Sequence, residues 1–101
     1  MLHTAGIVGT RPDGTIAPDA GGQAAEVWRV IGVLLSEAGF TPPDIVSYTT
    51  YVVAGEDLDP VMAARDEFLA GHRAASVLVT VPALARPEWK VETALVAIRP
   101  A

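Results

Sequence analysis

The sequence predicts an α+β domain in which two helices cover one face of a small β-sheet. Apolar residues recur at three- and four-residue steps over residues 23–38, and again over the shorter stretch 59–69. Four other runs, at 2–8, 44–53, 74–81 and 89–98, read as strands, and the last three are rich in β-branched residues. Proline, glycine and aspartate punctuate the joins, so the order is β-α-β-α-β-β, with no internal repeat. At 101 residues, half of them hydrophobic, the chain is long enough for one domain, 1–101, and too apolar to be disordered.

Composition narrows the function classes. The net charge is −5 and no Lys/Arg cluster occurs, so no nucleic-acid partner is expected. Without cysteine there is no disulfide framework, thiol nucleophile or cysteine metal site. No apolar run approaches a membrane span, and Met1-Leu2-His3 does not open a signal peptide, which points to a cytoplasmic protein without a membrane partner.

The elements follow in order. Residues 2–8 form the first strand, and Pro12-Asp13-Gly14 supplies turn chemistry in the loop behind it. In the first helix Ala24, Val27, Trp28, Ile31, Leu34, Leu35 and Ala38 form one stripe; Gly39 stops it, and Pro42-Pro43 prevents resumption. In strand 44–53 alternation puts Ile45, Ser47, Thr49, Tyr51 and Val53 on one face and Val46, Tyr48, Thr50 and Val52 on the other. Asp59-Pro60 reads as an N-cap with proline in the first helical position, and the second helix runs to Leu69, short of Gly71.

The last two strands are almost uncharged. Glu92 is the exception, and a carboxylate in such a run needs a partner, a proton or a solvated pocket. Tyr48, Val52, Leu78 and Val96 put apolar side chains on both faces of the sheet, yet two helices cover only one. The uncovered face predicts a homo-oligomer whose sheets pack on one another.

Five ordered stretches add a resemblance: Thr4-Ala5-Gly6 stands for a T-S-G segment; Gln23 to Gly39 follows Q-x(14)-A-G; Asp44-Ile45-Val46 with Thr49-Thr50-Tyr51-Val52 is similar to D-I-V-K-T-T-V-F-V. Arg65-Asp66-Glu67-Phe68-Leu69 is similar to the end of a second helix, and Val91-Glu92 to V-E-I-E. Together they resemble the Rid family of reactive intermediate deaminases, the YjgF-type proteins. The resemblance implies a chorismate-mutase-like fold: a mixed sheet with two helices on one face, trimeric, with a central sheet barrel and small-molecule pockets between subunits. It also implies hydrolysis of 2-imino acids and enamines to 2-keto acids and ammonia without metal or organic cofactor. The family's N-terminal strand is missing ahead of Met1.

Departures shape the functional expectation. Active deaminases carry P-A-R-[ST], whose planar arginine binds both oxygens of the substrate carboxylate. Here Arg73-Ala74-Ala75-Ser76 puts Ala75 at that arginine, and Val77 replaces the small polar residue two places on. Met62 stands for the helix asparagine and Ala5 for the serine of T-S-G. Losing one desolvated charge-assisted pair costs on the order of 2–5 kcal/mol, which argues against ordinary 2-imino acid deamination.

The expected protein is therefore a divergent Rid-type homotrimer acting on an imine, enamine or related intermediate. Glu92 is its acid–base group; Ala5, Gly6, Met62, Ala75, Ser76 and Val77 line the pocket, with Arg73 at its border. A noncatalytic metabolite- or protein-binding trimer is the alternative; a residual 2-iminobutanoate/2-iminopropanoate deaminase that uses Arg73 is a further one. His3 and His72 lack metal-ligand spacing, so no metal site is expected.

Overall fold

The computed structural model describes residues 1–99. Its elements are β1 (Leu2–His3), β2 (Ile7–Val8), α1 (Ala20–Ala38), a one-turn 3-10 helix (Pro42–Asp44), β3 (Ile45–Val53), α2 (Asp59–Leu69), β4 (Ala75–Val81) and β5 (Val91–Ala97). The order along the sheet is β1-β5-β3-β4, with β2 also paired to β5. Among the described residues only β3 and β4 are parallel, joined through α2; the other pairings are antiparallel. The sheet is mixed and both helices pack on one face, as expected.

The first predicted strand splits in two because residues 4–6 leave the ladder. Thr4 remains tied to β5: its N–H donates to the Leu95 carbonyl and its hydroxyl oxygen accepts from the Leu95 N–H, both at 3.0 Å. The first helix starts earlier than its apolar stripe. Asp19, in extended conformation, caps it by accepting from the Gly22 N–H at 2.8 Å. Gly39, at φ 81°, closes the other end, its N–H directed to the carbonyls of Leu35 and Ser36.

Two further boundaries differ from expectation. A bulge between Ile45 and Ser47 breaks the simple alternation, so Ile45 joins the buried face and Val46 is exposed. Asp59 is the first residue of α2 rather than its cap. Leu58 occupies the cap, and the Asp57 carboxylate accepts from the Asp59 N–H at 3.1 Å.

The core lies between α1 and the sheet. Val27, Trp28, Ile31 and Leu35 meet Ile45, Tyr48, Val52, Val91, Leu95 and Ala97. Trp28 stacks on Phe68 of α2, with centroids 5.1 Å apart, and meets Tyr48 edge-on at 5.5 Å. Gly21 lets the helices approach: a Cβ there would lie 2.7 Å from Cβ of Pro60. Buried Gln23 ties the layers together. Its Nε2 donates to the carbonyls of Ala17 (2.8 Å) and Glu88 (2.9 Å), and its Oε1 accepts from the Lys90 N–H (2.7 Å).

Candidate functional site

Strand register decides where each candidate points. Glu92 pairs with Val8 on one side and Tyr51 on the other, and Tyr51 pairs with Val79. These four form one row across the face opposite the helices, since paired residues share a face. Ala75 and Val77 lie on that open face too, paired to Ser47 and Thr49. Val77 is 55% exposed and Val79 37%.

Glu92 itself is half-buried, and no ion pair or side-chain hydrogen bond holds it among the described residues. Gly6 explains how its carboxyl fits. A Cβ on Gly6 would fall 2.6 Å from the Glu92 carboxyl carbon, so the acid occupies the space that any other residue would fill. The break in the first strand thus brings Gly6 against Glu92.

The remaining candidates are dispersed. Two interstrand steps and two residues of rise place Val77 roughly 12 Å from Glu92, and four residues place Ala75 roughly 16 Å away. Met62 is half-buried on α2, in the helix layer. Ala5 lines an apolar cavity of about 470 Å³ with Leu2, Ile7, Leu34 and Ala38, beside His3 and Glu37. Ser76 pairs with Tyr48 and therefore points to the helix side, where it lines a second cleft with Arg73.

That second cleft contains groups the sequence did not single out. Tyr48, Arg65 and Asp66 line it beside His72. The Arg65 Nε donates to Asp66 Oδ1 at 2.9 Å, and this bond holds the guanidinium above its ordinary pKa. His72 Nε2 lies 2.8 Å from the Ile45 carbonyl, so that nitrogen carries the proton. The parallel pairing of β3 and β4 was the signal for this grouping, because it sets Tyr48 beside Ser76.

Among the described residues no group of three or more His, Asp or Glu side chains is placed to hold a metal ion, and no helix is long and apolar enough to cross a membrane.

A family model described as endoribonuclease L-PSP matches residues 1–99. A Rid-family protein of unknown function from Yersinia pestis, YyfB, is similar over 95% of this chain and 76% of its own, with 33% identity and a TM-score of 0.86. Rv2704 from Mycobacterium tuberculosis, of the YjgF/YER057c/UK114 family, is 26% identical over 92% of this chain and 74% of its own, with TM-score 0.76. The YjgF product of E. coli is 26% identical over 97% of this chain and 80% of its own, with TM-score 0.87. No curated protein matches the chain.

Proposed function

We infer, from the premise that this chain belongs to the endoribonuclease L-PSP family of Rid and YjgF proteins, that it is a divergent Rid-type homotrimer acting on uncharged imines or enamines. The observation that carries this reading is Glu92, an unpaired carboxylate on the uncovered face of the sheet, seated against Gly6. Ala75 and Val77 share that face but lie too far from Glu92, by roughly 12–16 Å, to close one small pocket within a subunit. A neighbouring subunit supplies the missing wall. The pocket then combines Glu92 and Gly6 of one chain with Ala75 and Val77 of another.

Glu92 in its acid form gives a proton to the imine nitrogen; water adds to the carbon, and the C–N bond breaks. The products are a carbonyl compound and ammonia: of the two protons that water gives up, one restores the acid and the other passes to the departing nitrogen. No cofactor takes part in this scheme. Ala75 leaves no guanidinium for a substrate carboxylate, so small 2-imino acids are poor substrates.

The test is hydrolysis of freshly generated imines, with and without a carboxylate, followed as carbonyl product against a protein-free control. Acceleration confined to uncharged imines, and lost by at least a hundredfold in Glu92→Gln, is expected for a general acid. No acceleration by a correctly folded trimer would sink the enzymatic reading and favour the noncatalytic binding trimer. Acceleration of 2-iminobutanoate or 2-iminopropanoate would establish residual deamination, and Arg73→Ala would then show whether Arg73 replaces the absent arginine.

A further inference from the structure

Tyr51 stands directly across from Glu92, on β3, and both half-buried side chains lie on the open face of the sheet. Residues paired in this way carry their Cβ atoms about 4.5–5.5 Å apart. Yet the two side chains do not bond to each other, because the carboxyl leans the other way. It lies over Gly6, which precedes β2 on the far side of β5 from β3. Strand β5 therefore runs between the carboxyl and the phenol, and half-buried Ala94, the next residue on that face, is the floor between them. The backbones that carry Gly6 and Tyr51 are two interstrand steps apart, roughly 10 Å, which leaves room for a small molecule.

No other polar group of the row competes for this space. Its remaining members are Val8 and Val79, and the ammonium of Lys90, two residues before Glu92, donates to the Pro87 carbonyl at 3.0 Å. The T-T-V-F-V stretch that residues 49–52 resemble has no hydroxyl after its two threonines, so the phenol is a feature of this chain. A residue kept only for strand packing against Val79 needs a ring or a branched side chain and no hydroxyl. The phenol adds one donor and an acceptor oxygen opposite the acid.

We propose that the Tyr51 hydroxyl orients the water that attacks the imine carbon, and that the substrate is the imine of a small uncharged aldehyde or ketone, seated over Ala94. This role rests on the hydrolytic reading of Glu92. The acid protonates the imine nitrogen from one side of β5, while the phenol oxygen accepts a hydrogen bond from the water on the other. The phenol keeps its own proton, so the balance of the Glu92 reaction is unchanged. The water oxygen bonds to carbon, one of its protons returns to Glu92, and the other goes to nitrogen as the C–N bond breaks. A group that orients water acts after substrate has bound, and so bears on kcat more than on KM.

Hydrolysis of freshly generated acetone imine and of benzophenone imine would be compared for the full chain and for Tyr51→Phe. Acetone oxime, an uncharged C=N compound that resists hydrolysis, would be titrated into both and followed by amide chemical shifts. Tyr51→Phe should lower kcat for acetone imine about tenfold or more, with KM changed by less than about twofold and the urea midpoint unmoved. Acetone imine should react faster than benzophenone imine, and the oxime shifts should gather at residues 6, 51, 92 and 94. An unchanged kcat in Tyr51→Phe would overturn the role of Tyr51 and leave that of Glu92 standing. Equal rates for the two imines would overturn the small substrate. If the unaltered protein accelerates neither imine, the hydrolytic reading falls and the oxime decides the site. Shifts at residues 6, 51, 92 and 94 would then keep Glu92 and Tyr51 as two walls of a binding site, and shifts elsewhere, or none, would overturn that as well.

Discussion

The helix-covered face of the sheet completes its interactions inside the chain, whereas the open face does not. On the covered face Gln23, 1% exposed, meets three backbone partners, and the hydroxyls of Thr93 and Thr50 lie 3.4 Å apart. On the open face Glu92 has no partner among the described residues and Val77 and Val79 face outward. The first face is built for stability. The second is left open, and the contrast can be tested from both sides.

The largest effect is expected at Trp28, which is 4% exposed and joins both helices to the sheet through Phe68 and Tyr48. Trp28→Ala should cost about 3–5 kcal/mol of folding free energy in urea titration. A loss below about 1 kcal/mol would mean that the helix layer is not the main source of stability.

Gln23→Ala comes next. It leaves the Lys90 N–H and the Ala17 and Glu88 carbonyls short of a partner, which costs about 1–3 kcal/mol when such groups stay dry. Faster proteolysis in the segment before β5 should accompany the lower denaturation midpoint.

Val77→Asp probes the other face. Folding of the single chain should change by only about 0.5 kcal/mol, as for exposed positions in general. If the open faces pack together, sedimentation should nevertheless show the assembly falling apart. An unchanged mass would place the subunit contact elsewhere.

The smallest effect belongs to an exposed turn away from both faces. Asp13 Oδ1 accepts from the Thr15 N–H at 2.9 Å and from its hydroxyl at 2.7 Å, and these bonds hold the carboxyl below its ordinary value of 3.8. A lowered folded-state pKa adds stability above the unfolded value and loses it as pH falls through the folded one. Asp13→Asn should therefore lower stability slightly near neutrality and flatten the fall of the profile below pH 3.8.

Much of this architecture is legible in the residues themselves. The stripe from Ala24 to Ala38 and the Gly39 stop locate α1 because helix periodicity and left-handed capping are local. Glu92 stands out for a similar reason, as one charge in an apolar run. The break at residues 4–6, the bulge that turns Ile45 inward and the exposure of Val46 are not legible, since each depends on the strand alongside. Membership of the Rid-type sequences was readable from five ordered stretches, none of which describes a pocket by itself.

The site divides along the same line. The family resemblance put Arg73, Ala75, Ser76 and Val77 in one group. Pairing with β3 separates them, turning Ala75 and Val77 to the open face and Ser76 toward Tyr48. Residue types, periods and caps by themselves determined which segments become helices and strands, because those preferences are settled within a few neighbouring residues. Which face each strand residue shows, that Gly6 lies against Glu92, and that Arg65 meets Arg73 in one cleft were decided only by tertiary structure. The physical reason is that register and layer packing join residues distant in the chain, and no local preference carries that information.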